Sequence, residues 1–376
     1  MTPYFPPAQP YGGPPASVLG LCQGLQRAGV DVEVVTTTAN GSDSLPPSPP
    51  GGDRYEGVAV HYAARAFPRR FFGARLRGPL TRALARADVS HIHGVWNVPE
   101  WRACHLARAA AVPYVISPRG MLQPEAMRRG RARKSLAWAV LDGRNVRGAA
   151  LVHATSEQEA AALRTLDLGA PIAVVPNGVD LAGARCSNRG FRARLNIPTD
   201  AFIVLFLGRM HRIKRLDLLA DAYAAARQAH PSLHLVLAGP DEDDLLPDLL
   251  RRLAGTGQVH AIGPVHGADK WALVKDADVM VQCSDSESFG LSVVEALASG
   301  VPVIATRTCP WGEIETNECG LWVEQTAQAI AAAIGMLAGD PARRARMGER
   351  AAAFARDHFS WDTIAPRMAR LYESVV

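Results

Sequence analysis

The chain has little that would tie it down covalently or carry it through a membrane. Its six cysteines, Cys22, Cys104, Cys186, Cys283, Cys309 and Cys319, include no CxxC pair. That speaks against a zinc site or a disulfide framework and leaves free thiols as the expected state. No run of 18 apolar residues occurs, so no segment reads as a spanning helix. The opening MTPYFPPAQPYGG has neither a basic nor an apolar leader region, so secretion is not indicated and a cytoplasmic address is expected. Aromatics make up 6% of the chain and do not alternate with its basic residues, which denies nucleic acid a stacking platform. No internal repeat is visible.

What is present is a long, evenly apolar chain. At 376 residues and 48% hydrophobic content it exceeds what one core usually serves, so two domains are expected. Net charge is +5, yet residues 65–147 hold seventeen Lys or Arg against the four acids Asp88, Glu100, Glu125 and Asp142. Such a stretch suits a phosphorylated acceptor or the anionic inner face of the cytoplasmic membrane, at about 1 kcal/mol per basic residue near the surface. It also fits a solvated arginine-rich face.

Apolar, β-branched runs alternate with helical stretches. The first series is Val32–Thr37, Val58–Tyr62, Val89–Ile92, Tyr114–Ser117, Leu151–Ala154 and Ile172–Val175. A second follows at Ala201–Gly208, Leu233–Gly239, Val259–Ile262, Asp278–Gln282, Val301–Ala305 and Leu321–Val323. This predicts an α/β protein of two doubly wound, Rossmann-like parallel sheets. A polar segment, Asn177–Pro198, is the expected linker. The expected domains are residues 1–180, 181–358 and a closing helix within 359–376. Asn40–Gly57, rich in Pro, Gly and Ser, is expected to be a flexible loop. MTPYFPP resembles the end of a strand, so the first strand of the first sheet is expected to be missing, with exposed backbone groups as the result.

The densest functional signal is Ser284–Gly300, SDSESFGLSVVEALASG. It follows a short buried strand and opens a helix, and its Gly290 allows close approach of a ligand. Backbone amides of Phe289, Gly290 and Leu291 at that helix N-terminus favour an anion such as a diphosphate. Glu287 lies in the loop and Glu295 about five residues into the helix, roughly 7.5 Å along its axis. Two acceptors so spaced suit hydroxyls at opposite ends of a nucleotide sugar; the pair alone also fits a surface loop before a solvated helix.

Arg209 ends one strand and Lys214 precedes the next helix, the edge where open α/β sheets bind ligands. Together they would stabilise a departing diphosphate. Gly12 and Gly13 form a glycine turn before the amphipathic Ser17–Arg27. His93 follows a strand at the ligand-facing edge, while His91 is expected to face the packed side. Arg119, in Ser117–Met121, either touches donor phosphate or an acidic acceptor, or belongs to loop structure around Pro118. The acidic Asp241–Asp244 reads as a solvated turn, and no metal is expected.

Taken in order, YGGPP, HIHGVW, PNGVD, GRMHRIKRLD, AGPDE and ESFGLSVVE resemble the family 4 retaining glycosyltransferases of GT-B architecture, over nearly the whole chain. SPRGML, KSLAW and HATSEQE resemble members associated with exopolysaccharide and capsule assembly. The resemblance implies two Rossmann-like domains facing each other across a cleft, with the closing helix returning to the first. It implies that Glu287 contacts the donor sugar near its anomeric centre and Glu295 the ribose hydroxyls. Arg209 and Lys214 would neutralise the diphosphate, and Phe289, Gly290 and Leu291 would offer amides. Gly12 and Gly13 would close over the donor, and His93 would face the sugar ring. The reaction implied is metal-independent transfer of a hexose, with retention, from a nucleotide diphosphate sugar to a glycan or lipid-linked hydroxyl. Pro310-Trp311-Gly312-Glu313 departs from the glycine pair many members carry there. A nucleotide-sugar 2-epimerase and a non-catalytic nucleotide-sugar-binding subunit are the rival readings.

Overall fold

The structure, a computed structural model, describes residues 1–8, 11–46, 53–65, 75–128, 130–186 and 190–376. Its contacts divide the chain into one unit of Met1–Gly178 with Trp361–Val376, and a second of Val179–Ser360. The polypeptide therefore passes between the units twice.

In the second unit, strands β7 (Phe202–Leu207), β8 (Leu233–Ala238), β9 (Val259–Gly263), β10 (Val279–Gln282), β11 (Val303–Thr306) and β12 (Gly320–Val323) form one sheet. All pairings are parallel, in the order β9-β8-β7-β10-β11-β12. The sequence FIVLFL of β7 is buried at every position because helices cover both faces of the sheet. Strand order reverses between β7 and β10, so the helices that follow these two strands pack on opposite faces of the sheet and leave a crevice at the strands' carboxyl ends.

The first unit contains β1 (Glu33–Thr37), β2 (Val58–Ala63), β3 (Ser90–His93), β4 (Tyr114–Ser117), β5 (Leu151–Ala154) and β6 (Ile172–Val174). Its strands fall into two sheets: β1-β2, extended by Arg54–Tyr55, and β3-β4-β5-β6. Where an opening strand is expected, Met1 and Thr2 bond to both. The Met1 amine donates to His91 O (2.7 Å), Met1 O accepts from His93 N (3.0 Å), and Thr2 N donates to Val35 O (3.3 Å). Thr36 Oγ1 on β1 and His91 Nε2 on β3 are buried without a hydrogen-bond partner.

Helix α1 (Gly13–Arg27) packs on the closing helix Trp361–Glu373, which belongs to this unit. Trp361 fits because Gly20 and Gly178 lack side chains: a Cβ there would meet its indole at 2.3 and 2.4 Å.

The passage from Gly178 of the first unit to Val179 of the second lies within the expected linker Asn177–Pro198, and Leu181–Cys186 and Phe191–Arg194 of that segment are helical. The buried Asp276 carboxylate fixes the latter by accepting from Gly190, Phe191 and Arg192 N at 2.9, 2.6 and 3.1 Å. The 40–57 loop is ordered at its ends, where Ala39–Asn40 pairs with Asp43–Ser44 and Arg54–Tyr55 with Val58–Ala59. Its residues 47–52, like 66–74 and 129 of the basic stretch and 187–189 of the expected linker, lie outside the described residues.

Candidate active site

In the second unit the loops after β7 and β10 are joined edge to edge. Asp285 N donates to Ile213 O (2.8 Å), Cys283 Sγ to Lys214 O (3.4 Å), and Arg215 Nη1 to Asp285 Oδ1 (3.0 Å). This juncture places Lys214 beside Glu287. Lys214 Nζ donates to Glu287 Oε2 at 2.5 Å, and both side chains are mostly buried, at 17% and 14% exposure. Gln282, the last residue of β10, donates its Nε2 to the same oxygen (3.0 Å) and to Ser284 Oγ (2.6 Å). One Glu287 oxygen thus receives a cationic and a neutral donor, a geometry that fixes the carboxylate's orientation.

Three residues on, Gly290 caps the helix Leu291–Ala298 in the left-handed conformation, φ 86°. Phe289 packs its ring into the core against Trp311 and Phe359. Trp311 Nε1 donates to Phe289 O (2.5 Å), and a Cβ on Gly290 would stand 3.2 Å from that nitrogen. The indole of the Pro310–Glu313 departure is therefore the backing of this turn. The N–H groups of Leu291 and Ser292 precede the first bond of the helix, Val293 N to Gly290 O (3.0 Å), so the turn is suited to an anion.

Glu295, in the second turn, accepts from Lys270 Nζ at 2.6 Å, with side-chain exposures of 15% and 22%. It is paired separately from the Lys214–Glu287 couple. Arg209 pairs with Glu242 at 2.5 Å, exposed on both sides. The acidic run is thus more than a solvated turn. Asp241 caps Leu245 and Leu246 N (2.8 and 2.9 Å), and Asp243 accepts from Arg212 N (3.0 Å).

In the first unit, Gly12 caps α1 at φ 69°, with Gly13 as the first helical residue. His93 is 7% exposed and its Nδ1 faces Arg119 Nη2 at 3.0 Å. Arg119, at φ 56°, also donates to Asn177 Oδ1 (2.5 Å) and Ser17 Oγ of α1 (3.4 Å). Burial, with neighbouring His91 and Arg119 adding to it, holds His93 well below the usual histidine range, so the ring is neutral. A guanidinium can only donate, so Nδ1 accepts and the proton sits on Nε2.

His91 corrects its expectation. Residues two apart on a strand share a face, and its ring lies 4.0 Å from that of His93 rather than opposite it. Its Nδ1 meets Tyr372 Oη at 2.7 Å, and His153 is its other ring neighbour, at 5.3 Å.

The strings SPRG and ATSEQE are coupled through Glu159. Its buried carboxylate accepts from Gly120 N (2.5 Å), Thr155 N (2.8 Å) and Thr155 Oγ1 (2.7 Å), while Ser156 Oγ caps Glu159 N (3.1 Å). That clamp fixes the loop bearing Arg119.

The structure thus unites Lys214 with Glu287, the Phe289–Leu291 turn with Trp311, and His93 with Arg119. Sequence reasoning misses the parts played by Gln282, Lys270 and Trp311 in the second unit and by Asn177 and Glu159 in the first. Gln282 is signalled by a polar residue ending an apolar strand, and Glu159 by the Ser-x-x-Glu capping box; Lys270 has no local signal.

Residues 187–354 match the family model described as glycosyl transferases group 1, and residues 12–178 match a glycosyl transferase 4-like domain. A protein named D-inositol 3-phosphate glycosyltransferase from Kineococcus radiotolerans is 31% identical, over 97% of this chain and 91% of its own. One of the same name from Streptomyces scabiei is 30% identical, over 97% and 87%. Among solved structures, Anabaena HepE in complex with UDP and glucose has a TM-score of 0.74 at 21% identity, covering 97% of this chain and 98% of its own. Sucrose-phosphate synthase from Thermosynechococcus elongatus has a TM-score of 0.72 at 24% identity, covering 97% and 94%.

Proposed function

The chain belongs to the group 1 glycosyl transferases, and on that premise we propose that it moves a hexose from a nucleoside diphosphate sugar to a hydroxyl acceptor, with retention and without a metal ion. One observation carries the donor half of this reading. A mostly buried Lys214–Glu287 pair stands at the switch point of the sheet, in the loop that opens the Leu291–Ala298 helix. A sugar-hydroxyl acceptor, a cation and a phosphate-binding turn are then contiguous.

In this reading Glu287 receives donor sugar hydroxyls, and Glu295 turns from Lys270 to the ribose. The Phe289–Leu291 turn and Arg209 take the diphosphate. The bond between the anomeric carbon and the diphosphate oxygen breaks with its electron pair going to the diphosphate. The acceptor oxygen bonds the same face of the carbon, and its proton passes to a leaving phosphate oxygen. Positive charge on the sugar is oxocarbenium-like, and Lys214 with the helix terminus stabilises the opposite charge on the leaving group. From the first unit, Gly12 and Gly13 offer a close backbone approach, Arg119 a buried cation, and neutral His93 an Nε2–H donor for a sugar hydroxyl.

UDP-glucose is the donor to test first, because HepE was crystallised with UDP and glucose. Two acceptor leads stand side by side: an inositol phosphate, after the names of the relatives, and a lipid-linked or glycan hydroxyl of a cell-surface polymer, after SPRGML and HATSEQE. The test is nucleotide release from purified protein with each acceptor class, followed by NMR of the product's anomeric proton. Acceptor-dependent release with the donor's anomeric configuration kept supports the proposal. Inversion, acceptor-free isomerisation of the sugar, or tight donor binding without turnover would each replace it.

A further inference from the structure

Residues 131–147 form one helical run, α-helical over Arg131–Ala137 and Gly143–Arg147 and joined by a π-helical turn at Trp138–Asp142. Its inner side is ordinary: Asp142, Gly143, Asn145 and Val146 are buried, and Asp142 Oδ1 accepts from Trp96 N (3.0 Å). Its outer side is not. Leu136, Val140 and Leu141 are 66%, 59% and 38% exposed, whereas the other exposed large hydrophobics among the described residues, Leu250, Met336 and Val376, stand far apart in sequence. The wide π turn holds one more residue than an α turn, which keeps Val140 and Leu141 together on the side of Leu136.

Charge on this face has one sign. Arg131, Arg133, Arg144 and Arg147 are exposed, while the acid of the run, Asp142, is buried. Exposed aliphatic side chains on a run whose exposed charges are all arginines narrow the occupant. A second copy would set the arginines against themselves, since a two-fold interface presents one patch to itself. Nucleic acid would leave the aliphatics uncovered, and the one ring of the run, Trp138, is half-buried with the Arg147 guanidinium over it. An anionic bilayer satisfies both features: leucine and valine enter the headgroup boundary, and the long arginines keep their charge at the phosphates.

We propose that Arg131–Arg147 is an interfacial helix that docks this protein on anionic lipid, with Leu136, Val140 and Leu141 as the inserting side chains. The proposal is independent of the chemistry assigned to the chain.

The test is flotation of the full chain with vesicles of phosphatidylcholine alone or mixed with phosphatidylglycerol. The wild type floats with the anionic vesicles, and salt weakens the association. Leu136→Ser with Val140→Ser lowers binding about tenfold or more, and so does the triple change Arg131→Ala, Arg133→Ala, Arg144→Ala. Because these side chains are exposed, circular dichroism and melting temperature stay at the wild-type values. Absence of wild-type flotation, equal binding to both vesicle types, or undiminished binding of the folded apolar variant overturns the proposal. So does concentration-dependent dimerisation by light scattering that the apolar variant abolishes.

Discussion

Glu287 depends on its neighbours for direction. Lys214 supplies charge and Gln282 supplies a fixed neutral donor from the end of a buried strand. Gln282→Leu keeps the volume and removes the second donor, so the carboxylate loses a restraint without losing its cation. The expected result is kcat lower by about 10- to 100-fold, with nucleotide affinity within about twofold of wild type, in steady-state kinetics set beside calorimetric titration. Arg209 differs. Its pairing with Glu242 is solvent-exposed and worth about 0–1 kcal/mol, so Arg209→Ala leaves the melting temperature nearly unchanged. Its loss falls on donor turnover. At this scale the sequence is half legible. Glu287, Glu295, Gly290 and Lys214 stand in strings whose order gives them meaning, whereas Lys270 and Trp311 reach the site from distant segments through packing that no local pattern encodes.

At the scale of the element, the Phe289–Leu291 turn is held from behind. Trp311 fills the core beside Phe289 and donates to its carbonyl, which sets where the following amides point. Trp311→Phe retains an aromatic ring and deletes the donor. Nucleoside diphosphate affinity is expected to weaken about three- to tenfold, a net hydrogen bond of about 1 kcal/mol, while the unphosphorylated nucleoside is affected less. Titration of the two ligands against the variant separates a positioned turn from a general loss of stability, which would weaken both alike. Strand positions are the most legible elements, because buried parallel strands read as continuous apolar runs. The helical turn Phe191–Arg194 inside the expected linker at 177–198 has no local signal, because one distant side chain, Asp276, caps it. The same-face placement of His91 and His93 follows from strand geometry alone, and the contrary expectation misapplies the two-residue period.

At the scale of the molecule, the first unit carries opposed buried titrations. Burial, followed by the Arg119 charge, lowers His153 to about 3 from the ordinary histidine value of 6.5, and His91 and His93 move in the same direction. The stability that these neutral rings contribute is fully present above pH 6.5 and is lost as pH falls towards their folded values. Glu100 behaves oppositely. Burial raises its carboxyl to about 8 from 4.5, so its contribution is present below pH 4.5 and is lost as pH rises towards 8. Thermal unfolding followed across pH 5–9 should therefore fall away on the acid side. Between pH 6 and 8 the loss at Glu100 is opposed by the buried Met1 amine, lowered by burial to about 6 from 8.0, so the wild type changes little there, whereas Glu100→Gln should gain stability as pH rises to 8; a variant that follows the wild type in that window would remove Glu100 from the account.

The central claim is that the second unit is built to hold a nucleoside diphosphate through Glu295 and the turn before it. Isothermal titration of UDP into wild type and Glu295→Ala tests it most directly. The account predicts saturable binding that the substitution weakens about tenfold or more, with both proteins folded. Equal affinity in the two proteins, or no binding of uridine, guanosine or adenosine diphosphate by folded wild type, would contradict it.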